Sequence, residues 1–571
     1  MAKYILEKSA RSRIAAESDE GNNEYKLKLF NSCQENIDRI TTQMRFRVEE
    51  GCGEAIYTIG VTDSGGIIGL DEEEYKKTKE ILDIVVMKSN YTITLLSEKV
   101  VESQDCSKVE SENCSKEKKI YEFLIRENNH MRYVDIRVAC AGSVDAGKST
   151  LLGVLLTGKN DDGRGMARLN VFNFQHEVKT GRTSSVAQHI LGFDNRGEVV
   201  RIDNDSGHKK TWPEIIEESV KVVTFFDLCG HEKYLKTTIT GLTSNFPDLT
   251  FILIGGNMNL SKMTKEHIFL CLSLHIPFVI IITKMDLCKD RKNVLEETVR
   301  DIKMLLKGAG IRRIPYDVHN NDDVLLCSKN IHSLTTVPIF YVSSVSLEGI
   351  DYLTQFLNLH TKRQLIDGIG DNKVEYHIDQ TFQVSGIGTV LGGQLVKGKI
   401  KVGDKLLIGP LNNSYTTIQV RSIHCKRVNM FEVDACRYVC LGIKKPDDLM
   451  IRKGNVVISM NDEPVQVSEF EADITVLKTH STTIKVGYQP VIHTCSIRQT
   501  AEITKISKKL CGRGQKGDDD VLRTGDRATI KFRFCYKPEF IRKGYRILMA
   551  EGRIKLLGKI TNVIEEKIKI V

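Results

Sequence analysis

Between Val134 and Leu359 the apolar residues fall in short, nearly continuous runs: Ile136-Arg-Val-Ala-Cys-Ala, Val222-Val-Thr-Phe-Phe, Leu249-Thr-Phe-Ile-Leu-Ile and Pro277-Phe-Val-Ile-Ile-Ile. A stretch with helical spacing separates one run from the next. Strands buried on both faces read this way, as in a parallel sheet covered by helices, so residues 133–360 predict a doubly wound, mostly parallel α/β domain. Upstream the pattern is mixed. Residues 35–50 and 72–87 have helical periodicity, while Ala55-Ile-Tyr-Thr-Ile-Gly-Val and Tyr91-Thr-Ile-Thr-Leu-Leu read as strands, giving a small α/β domain over 1–101. Residues 102–119 are rich in Ser, Glu, Asp and Lys without apolar periodicity, so 102–132 is assigned to an exposed linker and a connecting helix. Beyond about Gly370, short β segments are punctuated by glycine, as in Thr389-Val-Leu-Gly-Gly-Gln-Leu-Val-Lys-Gly, which predicts β-barrels.

Composition narrows the class. The 571 residues are enough for three to four domains at about 150 residues each. With 41% hydrophobic and 27% charged residues and no apolar run of membrane-spanning length, no membrane is expected as a partner. Met1 to Lys8 contains no secretory apolar segment, so a cytoplasmic location is expected. The 15 cysteines are scattered without a Cys-x-x-Cys, and they are read as reduced thiols rather than metal ligands. The net charge of +8 is unevenly divided: residues 361–571 carry 36 Lys and Arg against 23 Asp and Glu, or +13, which leaves −5 for the rest. A basic C-terminal half fits a polyanion such as RNA, and equally a solvated basic surface.

The densest chemistry lies in the central domain. Gly142-Ser143-Val144-Asp145-Ala146-Gly147-Lys148-Ser149 matches the phosphate-loop pattern in full, between an apolar strand and a helix that continues Thr150-Leu-Leu. In such a P-loop the glycines let backbone N–H groups close around the β-phosphate, the lysine reaches the β and γ oxygens, and the serine hydroxyl faces Mg²⁺. Residues 142–150 are therefore candidate nucleotide contacts, with Lys148 also catalytic and Ser149 a metal ligand. Base identity falls to Thr283-Lys284-Met285-Asp286 after the strand 278–282. A carboxylate that accepts both N–H donors of guanine rejects adenine, which has no such donor pair. Thr283 stands where asparagine is usual, and its hydroxyl can still bridge to the phosphate loop. Ser343-Ser344-Val345 follows the strand Pro338-Ile-Phe-Tyr-Val, where the loop that contacts the guanine carbonyl belongs.

Asp227-Leu228-Cys229-Gly230-His231 ends another strand. Asp227 is placed to hold Mg²⁺ through water, Gly230 to sense the γ-phosphate through its N–H, and His231 to aim the attacking water. Upstream, Gly181-Arg-Thr183-Ser-Ser sits where a switch loop carries one threonine to Mg²⁺ and the γ-phosphate. Thr183 is the candidate, with Thr180 and Ser184 as neighbours of the same type. No arginine finger is evident, so free hydrolysis is expected to be slow and a partner to accelerate it.

With Asp145 in the loop and Asp227-x-x-Gly-His231-Glu-Lys-Tyr, the chain resembles translational GTPases of the elongation-factor class. More narrowly, Asp162-Gly-Arg-Gly, Gly181-Arg-Thr-Ser-Ser-Val, Gly230-His-Glu-Lys-Tyr-Leu-Lys-Thr-Thr, Gly386-Ile-Gly-Thr-Val, Ser496-Ile-Arg-Gln-Thr-Ala and Arg523-Thr-Gly-Asp resemble the GTP-binding protein one/two subfamily. The likeness runs from about Tyr121 to Ile560. It implies a P-loop GTPase domain followed by two C-terminal β-barrels, taken as 370–462 and 463–571, and it matches Thr183 to the switch threonine. It also implies hydrolysis of GTP to GDP and phosphate as a conformational switch, with Mg²⁺, aminoacyl-tRNA or other RNA and the ribosome as partners, a link to RNA turnover, and no DNA. Two other outputs are compatible: a GTP-dependent RNA-binding adaptor and a regulatory GTPase subunit of a metabolic enzyme. Cys511-Gly-Arg-Gly-Gln-Lys-Gly-Asp-Asp-Asp interrupts the last barrel, and Ile554 follows Arg553 where the subfamily resemblance implies threonine.

Overall fold

A computed structural model of the chain describes residues 16–17, 21–30, 33–101, 117–128, 133–172, 175–180, 183, 186–203, 209–289, 291–308, 311–362, 373–411, 413–445, 449–476, 483–510, 521–551, 553–566 and 569–570. The N-terminal part builds a four-stranded sheet from β1 (Asn23–Lys26), β2 (Glu54–Ile59), β3 (Tyr91–Val100) and β4 (Lys119–Glu127), in the order β1-β2-β4-β3. Helices α1 (Gln34–Glu50) and α2 (Glu72–Ser89) cover it. Asp71 accepts from the Glu74 N–H and Glu74 reaches back to the Asp71 N–H, a capping box of the kind that contributes about 1 kcal/mol. β2 is buried on both faces. Ala55, Tyr57 and Ile59 pack with the helices, whereas Ile56 joins Leu124 in the core of the next domain.

β4 corrects the assignment of 102–132 to a linker and connecting helix. Tyr121, Phe123 and Ile125 face the helices, and the intervening Glu122 and Arg126 are buried polar residues held by ion pairs with Lys329 and Glu54. Charged residues on the inward face hid the period-2 signal. Residues 102–116 and the interruption 511–520 lie outside the described residues, as does Gly552 in the Glu551–Arg553 turn.

The central sheet has the order β11-β12-β10-β9-β5-β8-β6-β7, with β5 (Val134–Gly142), β6 (Ala187–Phe193), β7 (Val199–Val200), β8 (Lys221–Asp227), β9 (Leu249–Gly255), β10 (Phe278–Thr283), β11 (Ile314–Asp317) and β12 (Thr336–Tyr341). Every pairing is parallel except those of β6 with β7 and β8. Alternate residues of one strand serve two cores: Val138 and Cys140 pack with α3 (Lys148–Thr157) and α7 (Ile350–Leu359). Ala139 and Ala141 pack with α4 (Leu235–Ser244), α5 (Lys262–Leu274) and α6 (Lys292–Lys307). This two-sided burial explains the unbroken apolar runs.

Two closed six-stranded barrels follow. The first closes through pairing of Lys405–Leu411 with Ser414–Cys425, and the second through Val467–Val476 with Arg553–Glu565. The first barrel grips the central domain through polar contacts. Arg137, 1% exposed, bonds Gln394 and the Asn245 carbonyl, Lys426 pairs with Asp135, and the Arg427 guanidinium lies 4.8 Å over the Trp212 ring. The second barrel meets α4 and α5, and Leu548 enters the same core as Leu235, Ile239 and Leu242. Among the described residues no helix is long and apolar enough to cross a membrane.

Candidate nucleotide cleft

β5 delivers the loop 143–147 at its C-terminal end, where open parallel sheets bind ligands. A Cβ on Gly142 would lie 2.5 Å from the Leu253 carbonyl oxygen of β9, so only glycine lets the loop leave the sheet there. Gly147, with φ 79°, turns the chain into α3. Lys148 is buried, and its Nζ donates to the carbonyls of Gly142 (3.2 Å) and Ser143 (2.8 Å). A Cβ on Gly230 would come within 2.4 Å of that Nζ and 2.7 Å of the Gly142 oxygen. The backbone after β8 is thus seated directly on the loop, and any side chain at 230 would push the lysine away.

Three segments converge below the loop. Ser149 Oγ donates to Asp227 Oδ2 at 2.6 Å, Thr183 Oγ1 donates to the same oxygen at 3.2 Å, and the two hydroxyls are 3.0 Å apart. Asp227 is fully buried and its Oδ1 has no hydrogen-bond partner, so one carboxylate oxygen is left for a further donor or cation. Burial raises the Asp227 carboxyl pKa against the pull of Lys148, and burial lowers that of Lys148 against the pull of Asp227. Neither charge fully stabilises the other, since Lys148 spends its donors on backbone carbonyls.

At the opposite end, the buried Thr283 donates its hydroxyl to the Ala146 carbonyl at 2.9 Å, with the Ile254 carbonyl at 3.3 Å. Lys284 sits at φ 63°, turning the chain so that Asp286 faces the cleft. Ser343 Oγ donates to Asp286 Oδ1 at 2.7 Å and accepts from the N–H groups of Val345 (3.3 Å) and Ser346 (3.2 Å). It fixes the carboxylate from behind. His231 is exposed at the cleft, its Nδ1 accepting from the Lys233 N–H at 3.1 Å and its ring edge-on to Tyr234 at 6.2 Å.

These groups surround one cleft of about 920 Å³. Val144, Asp145, Gly147, Lys148, Ser149, Thr150, Thr183, Gly230, His231, Thr283, Lys284, Asp286, Ser344 and Val345 line it. Others support the wall: Gly142, Ser143 and Ala146 through their carbonyls, Asp227 and Ser343 through side chains. Leu228 and Met285 turn into the core beneath, and Cys229 is buried with its carbonyl taken by Thr238, because a tight turn points successive residues to opposite sides. Ser184 and the side chain of Thr180 are outside the described residues. Sequence reasoning passed over several further lining residues, among them Asp161, Arg164, Arg168, His176 and Tyr234. The signal for Arg164 was the run Asp161-Asp-Gly-Arg-Gly, two acids and two glycines shortly after α3, and Arg168 lies beyond it.

Comparison with known proteins agrees with this geometry. Residues 135–363 match the elongation factor Tu GTP-binding domain family. The chain is 40% identical to GTP-binding protein 1 of Xenopus laevis, covering 95% of this chain and 78% of the relative. It is 39% identical to GTP-binding protein 2 of Homo sapiens over 96% of this chain and 88% of that one. Translation elongation factor SelB from Methanococcus maripaludis, in complex with the GTP analogue GppNHp, shares the fold with a TM-score of 0.51 at 17% identity, over 77% of this chain and 80% of that one. The chain belongs to the GTP-binding protein 1/2 family of elongation-factor-like GTPases.

Proposed function

We propose that GTP bound in this cleft clamps the two barrels into a form that holds aminoacyl-tRNA for delivery to the ribosome, and that hydrolysis releases it. The observation that carries this reading is the position of α4. It begins four residues after His231 and packs against the strand Val491–Thr494 of the second barrel. Any shift of the Gly230 backbone with the γ-phosphate is therefore passed to a barrel. The +13 charge of residues 361–571 supplies the counter-charge for a polyanion.

Within the cleft, backbone N–H groups of 143–149 surround the β-phosphate, Lys148 neutralises charge developing on the γ-phosphate, and the Gly230 N–H registers its presence. Asp286, held by Ser343, accepts from the guanine edge. His231 orients the attacking water. Mg²⁺ would be held by the Ser149 and Thr183 hydroxyls with Asp227 behind a water, and would supply neutralisation of phosphate charge; the open Oδ1 of Asp227 suits that donor set. Cytoplasmic residence follows from this reading.

Filter binding with charged and uncharged tRNA, each with GTP or GDP, tests it. Retention of charged tRNA only with GTP is expected. Equal retention of both tRNAs would favour an RNA-binding adaptor, and no retention would remove tRNA from the function.

A further inference from the structure

Arg164 and Arg168 line the nucleotide cleft, and neither has an ion-pair partner among the described residues. We propose that they form a fixed cationic roof over the ribose and α-phosphate, binding the part of the nucleotide that GTP and GDP share. This rests on the reading of the cleft as the guanine-nucleotide site.

The loop that carries them is built around one carboxylate. Asp161, itself buried, accepts from the N–H groups of Gly163 (3.0 Å), Gly165 (3.1 Å) and Ala167 (2.9 Å), and Asp162 accepts from Arg164 (2.8 Å) and Met166 (3.2 Å). The Asp161 N–H donates to the Ser344 carbonyl at 2.8 Å, and Asn160 Nδ2 reaches the Val345 carbonyl at 3.4 Å. Those two bonds tie the loop to the base end of the cleft, away from the corner where Ser149, Thr183 and Asp227 meet. Its far side rests on α3: a Cβ on Gly153 would lie 2.1 Å from the Ala167 oxygen, so helix and loop touch backbone to backbone. The seat does not involve the segments that sense the γ-phosphate.

Arg168 is half-buried and folds back across its own loop: a Cβ on Gly165 would be 2.8 Å from Arg168 Nε and 2.9 Å from Cζ. Glycine at 165, with φ 91°, clears the path for that guanidinium. Lys148 serves the β and γ oxygens, which leaves the α-phosphate without a side-chain cation unless these arginines supply it. Guanidiniums set against a nucleotide di- or triphosphate form charge-assisted hydrogen bonds, the stronger kind.

The test uses the full chain with fluorescent GDP and a fluorescent non-hydrolysable GTP analogue, in magnesium. Arg168→Ala is expected to weaken both nucleotides by about tenfold, with the ratio between them unchanged, because one charge-assisted contact common to both is lost. Arg164→Ala should act in the same direction, and Arg168→Lys should restore part of the affinity. Gly165→Ala, which keeps both charges but displaces the Arg168 guanidinium, should weaken both nucleotides as well. Unchanged affinity in Arg164→Ala and Arg168→Ala would overturn the proposal, as would a loss confined to the triphosphate, which would place the arginines at the γ-phosphate. If the wild-type chain itself bound neither nucleotide, the underlying reading of the cleft would fall instead.

Discussion

Thr283 stands where an asparagine is usual, and its single hydroxyl joins the base-recognition strand to the phosphate loop through the Ala146 carbonyl. Thr283→Val keeps the shape and removes that donor, leaving a buried carbonyl unpaired at a cost of about 1–2 kcal/mol. GTP and GDP affinity should fall together by about tenfold, measured by equilibrium nucleotide titration; a change in one nucleotide alone would show that the bond serves something other than loop position. Asp286→Asn should instead alter selectivity, shifting preference from guanine to xanthine nucleotides, because the new amide donates where the carboxylate accepted. Retained GTP selectivity in that variant would remove Asp286 from base recognition. His231→Ala should leave nucleotide affinity intact and lower partner-stimulated turnover by at least about a hundredfold, the usual scale for a positioned water-handling group. Single-turnover hydrolysis with ribosomes reads this directly, and an undiminished rate would exclude the histidine. Much of the cleft was legible from such residues because each carries its chemistry in its side-chain type at fixed spacing. Asp161 was not legible: its partners are backbone N–H groups, and an acidic residue bonded to its own loop looks in sequence like any solvated turn.

At the scale of elements, runs such as 249–254 and 278–282 announced buried parallel strands, since nothing but a two-sided core accommodates them. β4 was missed for the opposite reason. Its Glu122 and Arg126 face inward but are neutralised, Glu122 by Lys329 across the domain boundary and Arg126 by Glu54 on the neighbouring strand β2, a compensation invisible until distant residues are brought together. The same boundary yields a prediction. Glu54, 1% exposed, accepts from Lys221 at 2.7 Å and from Arg126 at 3.2 Å, and Lys221 also donates to the carbonyls of Asn358 (2.7 Å) and His360 (2.5 Å). Burial, offset in part by Glu54, lowers the Lys221 pKa to about 8. Glu54→Gln leaves two buried cations facing a neutral amide, and breaking one side of such a pair costs about 3–5 kcal/mol. Urea unfolding of the full chain should show the central domain losing its midpoint by that equivalent. An unchanged midpoint would mean that the carbonyls alone hold Lys221.

For the whole molecule, the order of domains could be read along the chain, but their seating could not, because contacts such as Arg137 with Gln394 join residues 257 positions apart. Several such contacts meet at the junction of the central domain with both barrels. Glu375 accepts from His377 Nε2 at 2.9 Å and from the Tyr545 hydroxyl, with Arg542 Nε at 3.7 Å, while the Phe246 ring from the central domain lies 6.3 Å from that of His377. Burial raises the Glu375 carboxyl pKa, yet the bonds from His377 and Tyr545 and the Arg542 charge outweigh it and bring it down to about 2, against an ordinary 4.5. A folded-state pKa below the unfolded one adds stability that is complete above pH 4.5 and is lost as the pH falls towards 2. A depression of that size corresponds to about 3 kcal/mol. Glu375→Gln should therefore destabilise the full chain strongly at pH 7, and the gap between variant and wild type should narrow steadily below pH 4.5, followed by chemical unfolding at a series of pH values. A gap independent of pH would show that the carboxylate acts at this junction by shape and not by charge.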